Sequence, residues 1–374
     1  MRVDLSGRAV IEAVGDEAVQ AFVRHQFDPF PDLRETSSAP DVRLAPIDRM
    51  AIGPAELQGP AEDGLHTGSD GTVGFATWDR RRCTIPNVFE GEATFGYEPG
   101  FPFWRLLRSA IRPALQIAPA VAGRAVAIHA ASVTIDGGAI VVAGWSESGK
   151  TETALALMER GASFLSDKWT FAGATDLEAS LFPISIGIRR WALEYLPTLE
   201  AATTTRSKAQ FLAARAADVV LSPIARRPGR SRSGAAVPDL ARRASALGDR
   251  SAYEIEELRA AYGAGDDPLR RVPIRMLVIL RTIEEDIVRV RPVDPVEAAT
   301  RLARTAAYER RAYFALLDRF AYLRPTGHAG VMTTAVAADE AVLAGVCAGV
   351  PVRIVEAPFP VDPRGVADAI LAEL

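Results

Sequence analysis

The stretch GWSESGKT, residues 144–151, decides the fold of this chain, and we call it the glycine loop. It fits the pattern G-x-x-x-x-G-K-[S/T] of a phosphate-binding P-loop. Glycines let such a backbone turn tightly, so that its N–H groups point inward at phosphate oxygens. We therefore predict that a nucleotide is bound by Gly144, Ser146, Glu147, Ser148, Gly149, Lys150, Thr151 and Glu152.

Two side chains of the loop carry the expected chemistry. The ammonium of Lys150 is expected to reach the β- and γ-phosphates, and the hydroxyl of Thr151 to ligate Mg²⁺. A helix that starts here would add the positive end of its dipole to the same phosphates. ATP and Mg²⁺ are the expected ligands.

The residues on either side of the loop supply the context that a P-loop needs. Residues 125–135 predict a strand, residues 136–138 (DGG) a turn, and residues 139–143 a short apolar strand. Residues 152–160 predict a helix that Gly161 ends, and residues 163–166 the next strand. This order of strand, loop, helix and strand predicts an α/β fold.

Two further residues are candidates for the site. Asp167 follows the strand after the loop, where a carboxylate holds Mg²⁺ or accepts a proton from an attacking hydroxyl. The alternative is a surface or capping aspartate. His129 lies in an apolar strand, a place where a lone histidine is more often a core residue than a catalyst.

Residues 128–169, IHAASVTIDGGAIVVAGWSESGKTETALALMERGASFLSDKW, resemble the HPr kinase/phosphorylase superfamily. The resemblance includes a histidine at the head of a hairpin, the P-loop, the run TETAL, the pair Arg160-Gly161 and a strand that ends in aspartate. It implies a fold related to phosphoenolpyruvate carboxykinases and an ATP-dependent phosphotransferase, commonly acting on a serine hydroxyl. It also implies that Asp167 is the general base and His129 an active-site residue.

The chain departs from the family at two positions of opposite charge. Glu147 stands where the family usually has glycine, and Lys168 where it usually has a second aspartate. We hypothesise that the two side chains face one another and compensate, or else that they point to solvent or mark a non-catalytic member. If they compensate, Glu147→Gly and Lys168→Asp should each reduce activity more than the double variant does.

The family's later glycine-and-arginine signature is matched most nearly by IGIRR, residues 186–190. Arg189 or Arg190 would stabilise a transferring phosphate, as arginines do in other phosphoryl transferases. The alternative is a pair of surface arginines. The predicted catalytic residues are Asp167, Lys150, His129 and Arg189, and the predicted metal ligands are Thr151 and Asp167.

The pattern along the chain predicts two domains. Residues 1–120 form a smaller β-rich domain, with strands at 72–78 and 93–97 and a connecting helix within 102–121. Residues 121–374 form the HPr-kinase-like P-loop domain, with a basic insertion at about 201–270. Beyond the insertion we predict a strand at 275–281, helices at 295–304, 308–320 and 331–347, a strand at 352–356 and a helix at 363–374.

Residues 201–250 carry nine arginines and one lysine against three aspartates, a local charge of +7. This block is a solvated insertion, a basic lid, or a docking surface for an anionic partner.

Composition bears on the partners, the cysteine chemistry and the location that we expect for this protein. The net charge of −4 gives no support for nucleic acid or an anionic membrane as a partner. Only three of the 43 basic residues are lysines, and two of these, Lys150 and Lys168, lie in or near the glycine loop. The two cysteines predict neither a disulfide framework nor a metal site. Without a signal peptide or a long apolar run, we expect a cytoplasmic protein, which could form a homo-oligomer.

The leading function is a kinase that transfers the γ-phosphate of ATP to a hydroxyl of a peptide, protein or small metabolite. One alternative is a nucleotide-binding regulatory module without phosphotransfer, which Glu147 and Lys168 favour. A carboxykinase-like enzyme acting on a small acid is the other, and only kinship of fold suggests it.

Overall fold

The computed structural model describes residues 1–33, 39–47, 57–58, 65–67, 73–76, 81–89, 93–202, 250–263, 267–323 and 330–374. It is a mixed α/β structure built on two large sheets, as the sequence predicts for its class. Of the basic block, only residues 201, 202 and 250 are described, so its three interpretations lie outside the described residues.

The first sheet is built from the N-terminal residues. Its eight described strands lie in the order β1-β2-β3-β8-β7-β6-β5-β4. Their bounds are β1 Arg2–Asp4, β2 Val10–Ala13, β3 Val42–Pro46, β4 Leu57–Gln58, β5 Leu65–Thr67, β6 Val73–Ala76, β7 Arg82–Thr84 and β8 Ala93–Tyr97. Helix α1 (Glu17–Gln26) packs on it and is capped by Asp16, whose carboxylate accepts from the Val19 N–H. The predicted strand at 93–97 is confirmed, and of the strand predicted at 72–78 the described residues form β6.

The connecting segment is helical but irregular. A turn at Trp104–Leu106 leads into a π-helical turn at Leu107–Ile111 and then into α2, Arg112–Val121. Almost all of α2 is buried, and Pro113, which has no N–H to donate, lies in its first turn directly after the π-helical turn. The single helix predicted over residues 102–121 is therefore interrupted by a π-bulge.

The second sheet contains the glycine loop. Its strands are β9 Ala125–Ile128, β10 Ala130–Ile135, β11 Gly138–Gly144, β12 Ser163–Ser166, β13 Thr170–Gly173, β14 Glu178–Leu181, β17 Val272–Ile283, β18 Arg289–Pro292 and β19 Val352–Pro358. β17 pairs in parallel with β11 and β19. β10 runs antiparallel to both β11 and β12. The strands β11, β12, β17 and β19 therefore all point the same way.

The structure corrects the strand predicted over residues 125–135. It is divided at His129: β9 pairs with β13, whereas β10 pairs with β11 and β12. Because the two halves of the segment pair with different strands, the strand must break between them. An unbroken apolar run does not reveal such a break, because both strands are buried on both faces.

Helices cover both faces of this sheet. On one face lie α3 (Lys150–Met158) and α9 (Pro363–Leu371), and on the other α6 (Pro295–Glu309) and α8 (Val331–Gly349). β11 explains why both faces need cover: Ile140 and Val142 pack toward α3, whereas Ala139, Val141 and Ala143 pack toward α6 and α8. The predicted helix at 152–160 begins two residues earlier and ends at Met158.

The remaining elements are α4 (Pro197–Ala202), α5 (Ile255–Tyr262) and α7 (Arg311–Leu323), with a small sheet of β15 (Ile186–Arg189) and β16 (Arg250–Tyr253). The predicted helix at 308–320 is corrected: α6 continues to Glu309, and α7 begins after a break at Arg310. The final helix ends at Leu371 rather than at residue 374.

Among the described residues, α8 is long and apolar enough to cross a membrane by length and composition, with a mean hydropathy of 1.5. It packs against α6 and α2, and its Asp339 is buried against Arg310. These contacts leave 44% of the apolar stretch buried within the structure.

The first sheet shares its core with the C-terminal helices. One continuous cluster of buried side chains joins strand residues such as Leu5 and Phe95 to Phe171 of β13, Tyr313 of α7 and Ala335 of α8. The predicted division at residue 120 stays a prediction.

Candidate functional site

The candidate site lies where the parallel strands end. The glycine loop follows β11, and Asp167 follows β12. His129 directly precedes Ala130, which pairs with Ala143 at the end of β11. The antiparallel strand thus returns His129 to the same edge of the sheet. In open α/β sheets, ligands bind outside the carboxyl ends of the strands.

The backbone of the glycine loop turns at two glycines with positive φ. Gly144 has a φ of +150°, and a Cβ added there would lie 2.9 Å from the carbonyl oxygen of Leu280. Gly149 has a φ of +88°, and its Cβ would lie 2.8 Å from Val361. Both glycines are therefore required by positive φ and by close approach. α3 starts directly after Gly149 without a side-chain cap, so the N–H groups of its first turn are left for another acceptor.

Lys150 folds back over the loop. Its Nζ donates to the carbonyl oxygens of Gly144, at 3.1 Å, and Trp145, at 2.6 Å. Burial lowers the pKa of Lys150 to about 8, although the negative charges of Glu309, Asp167 and Glu152 act in the opposite direction. A triphosphate would restore the charge that burial disfavours.

Thr151 and Asp167 are joined directly. The Thr151 hydroxyl donates to Oδ1 of Asp167 at 2.8 Å. Asp167 is buried, and its Oδ2 has no hydrogen-bond partner among the described residues. Burial raises its pKa, while the Thr151 hydroxyl and the nearby lysines lower it.

The Thr151 hydroxyl and the Asp167 carboxylate, whose Oδ2 is unsatisfied, form a donor set that suits Mg²⁺. This ion takes one or two protein carboxylates and completes its shell with water and phosphate. No group of three or more His, Cys, Asp or Glu side chains suited to a metal occurs among the described residues. A Mg²⁺ site of this kind does not need one.

These residues line one cavity of about 530 Å³, which we call the glycine-loop cavity. It is bounded by residues 146–152 and by His129, Asp167, Lys168, Gly187, Arg189, Trp191, Glu309, Phe359, Pro360 and Val361. The predicted catalytic residues therefore come together. Of the predicted phosphate-binding residues, Gly144 alone is absent from this lining. Burial raises the pKa of Glu152, and the charge of Asp167 adds to that effect.

His129 is a neutral member of this group. It is buried, its ring lies 5.4 Å from that of Trp169, and its Nδ1 has no hydrogen-bond partner among the described residues. Burial, with the charges of Lys150, Arg310 and Lys168, lowers the pKa of His129 to about 3. Because His129 is neutral, it forms no ion pair with Glu309, although its Nδ1 lies 4.0 Å from Oε1 of that residue.

Arg189 enters the cavity from β15, and Arg190 is not among the residues that line it. The guanidinium of Arg189 donates to Oε1 of Glu147 at 2.6 Å. Lys168 donates to the carbonyl oxygen of Ser185 at 3.0 Å. Glu147 and Lys168 line the same cavity, and their mutual compensation stays a hypothesis. Both have a φ of +64°, in the left-handed region.

Sequence reasoning missed Glu309, Trp191 and the segment 359–361, all of which reach the cavity. They lie far along the chain from the glycine loop and belong to no motif. The exposed ring of Phe359 is a weak signal at best, because single exposed apolar residues are common.

A second cavity of about 450 Å³, the α6 cavity, lies on the other side of the glycine loop. Residues 144–148 form one wall, with the end of β17 and residues 300–305 of α6. Nearby, Trp145 stacks on Tyr308, with ring centroids 4.6 Å apart and planes inclined by 34°. The indole of Trp145 is about half exposed.

No protein-family model matches the chain. A search of curated proteins also finds no match.

Proposed function

We propose that the chain is an HPr-kinase-like, ATP-dependent phosphotransferase that moves the γ-phosphate of ATP to a hydroxyl of a peptide, protein or metabolite. One observation carries the proposal: the Thr151 hydroxyl, from the start of α3, and the Asp167 carboxylate, which follows β12, meet at 2.8 Å beside Lys150. A P-loop kinase needs this pairing of loop hydroxyl and strand-end carboxylate.

In this mechanism the protein mainly positions groups and neutralises charge. The N–H groups of residues 146–151 bind the β- and γ-phosphates, and Lys150 turns from the loop carbonyls toward them. Thr151 and Asp167 would hold Mg²⁺, which would supply charge neutralisation to the phosphates. Arg189 reaches the transferring phosphoryl group after leaving Glu147. The resemblance of residues 128–169 gives the role of proton acceptor to Asp167.

A regulatory module without phosphotransfer is the second candidate. One observation favours it: Glu147 places a carboxylate within the loop and holds Arg189, the arginine that transfer would need. A carboxylate beside the phosphates weakens their binding.

The test compares the wild-type protein with Lys150→Ala, and with Arg353→Ala as a charge-removing control on β19. ATP and Mg²⁺ are titrated in by calorimetry, and radiolabelled ATP is then offered with free serine and with candidate peptides. We expect Lys150→Ala to weaken ATP binding about tenfold or more. Label should be transferred by the wild type and the control only. Binding without transfer to any acceptor would favour the regulatory module, and absence of binding would contradict both.

A further inference from the structure

Two buried polar atoms face each other across the glycine-loop cavity without touching. Nδ1 of His129 and Oε1 of Glu309 are 4.0 Å apart, too far for a hydrogen bond. Neither atom has a hydrogen-bond partner within the described parts of the chain. Buried polar atoms are nearly always satisfied, so two such atoms in the lining of one cavity mark a place where a polar group of a bound molecule can be held.

Glu309 and Asp167 differ in how free they are to accept a proton. Asp167 is 3% exposed and already accepts the Thr151 hydroxyl, the arrangement of a metal ligand. The side chain of Glu309 is 24% exposed, and Glu309 is the last residue of α6. A group that receives a proton from an incoming molecule must reach that molecule, and Glu309 meets this condition better.

We propose that Glu309, rather than Asp167, is the proton acceptor for the incoming hydroxyl, which binds between Glu309 and His129. The proposal rests on the proposed function. The hydroxyl oxygen forms a bond to the γ-phosphorus, and the bond from that phosphorus to the β–γ bridging oxygen breaks. The electron pair of the broken bond leaves on ADP, and the hydroxyl proton moves to the Glu309 carboxylate.

His129 suits a positioning role beside this carboxylate. Because it is neutral, it neither repels Lys150 nor forms an ion pair with Glu309, which stays free to take the proton. Its ring is held against Trp169, which in turn lies 5.0 Å from the guanidinium of buried Arg310. One ring nitrogen can therefore hold a hydroxyl in a fixed direction.

The competing explanation is that Glu309 only balances the charge of Lys150 when no nucleotide is bound. The negative charge of Glu309 does favour the protonated form of Lys150. Under this explanation, Glu309→Gln would change the affinity for ATP and leave turnover intact. Under ours, it would leave affinity nearly unchanged and remove turnover.

The experiment uses the full chain with ATP and Mg²⁺, and with water or concentrated glycerol as the hydroxyl. Glu309→Gln is compared with Asp167→Asn and with Glu297→Gln, an exposed glutamate of the same helix. Calorimetry gives the ATP dissociation constant with and without Mg²⁺, and ADP formation gives turnover. Thermal unfolding checks that each variant is folded.

We expect Glu309→Gln to lower ADP formation about 10²- to 10⁴-fold, with the ATP dissociation constant changed less than about threefold. Asp167→Asn should lose the Mg²⁺-dependent part of ATP binding, and Glu297→Gln should behave as wild type. Wild-type turnover in Glu309→Gln, or a loss explained by weaker ATP binding, would overturn the assignment of Glu309 alone. A wild-type protein that binds ATP and forms no ADP with any hydroxyl would overturn the proposed function together with it.

Discussion

Glu147 and Lys168, the two residues that depart from the family pattern, both occupy left-handed backbone. Their φ of +64° costs a residue with a Cβ roughly 1–2 kcal/mol. Glycine avoids that cost, so the glycine expected at position 147 is also the residue that the backbone favours. Replacing Glu147 by glycine thus alters backbone energy as well as charge. Glu147→Gln and Lys168→Met are cleaner variants for the compensation hypothesis.

We predict that Glu147→Gly is more stable than Glu147→Ala by about 1 kcal/mol. Both variants remove the contact with Arg189, and only alanine retains the left-handed strain. Urea unfolding of the two proteins measures the difference. Equal stabilities would mean that the loop relaxes out of the left-handed region.

Lys150 makes nucleotide binding depend on pH. Its pKa is about 8 in the ligand-free protein and should return toward the usual 10.5 when phosphates surround it. Binding then takes up a proton above pH 8, so affinity for ATP should fall as pH rises from 8 to 10, by at most about tenfold per pH unit. Calorimetry in buffers of different ionisation enthalpy measures this uptake.

Lys150→Arg is the control for that titration, because arginine stays charged throughout this range. Its affinity for ATP should be lower but nearly flat between pH 8 and 10. A wild-type protein that takes up no proton at pH 9 would contradict the assignment of this effect to Lys150.

At the level of single residues, the sequence predicted most of the cavity lining because the glycine loop and its neighbours are local in the chain. Glu309 was beyond reach, since only the packing of α6 across the sheet carries it to Lys150. Arg189 could be proposed from the run IGIRR, yet its contact with Glu147 depends on where β15 lies.

Among the elements, α6, α7 and α8 are joined by a buried ion pair. Arg310, at the break between α6 and α7, donates to Oδ2 of Asp339 in α8 at 2.6 Å, and both side chains are about 1% exposed. Arg310 also donates to the carbonyl oxygen of Ala127 in β9. Helical periodicity did not predict the break between α6 and α7. This break places the buried guanidinium of Arg310 among the packed elements, over the ring of Trp169.

We predict that Asp339→Leu destabilises the protein by about 3–5 kcal/mol, because it leaves the charge of Arg310 buried without its partner. The double variant Arg310→Met with Asp339→Leu should lose much less, since both charges are then removed. Urea unfolding of the three proteins gives the free energies. A double variant less stable than Asp339→Leu alone would contradict this explanation.

Element prediction succeeded where a pattern is local and complete. The apolar strands β11, β17 and β19 follow from their composition, and the start of α6 at Pro295 was predicted although its end was not. Residues 125–135 divide at His129 only because two different partners exist elsewhere in the sheet. No local pattern encodes a change of partner.

For the whole molecule, the N-terminal sheet is bound to the rest by apolar and charged contacts. The continuous buried cluster runs from Leu5 through Phe171 to Tyr313. Arg8, which follows β1, pairs with Asp176 at 2.8 Å and donates to the carbonyl oxygen of Glu178 in β14. Contacts of this extent favour cooperative unfolding of both sheets.

We predict that Leu5→Ala, a change in the N-terminal residues, costs about 2–5 kcal/mol and shifts a single transition of the whole chain. Far-ultraviolet circular dichroism and tryptophan fluorescence should shift together in urea. Met332→Ala, at a half-exposed position of α8, should shift neither probe appreciably. Two separate transitions, with only one moved by Leu5→Ala, would instead support two independent domains.

The stacked rings of Trp145 and Tyr308 have an optical consequence. The wavelength at which an indole emits depends on the polarity around it, and this indole lies partly in water and partly against a phenol. One ring belongs to the glycine loop and the other to the end of α6, so a displacement between them would alter the colour of the emitted light. Trp145, one of the five tryptophans of the protein, is therefore an intrinsic fluorophore in the loop where a ligand would bind.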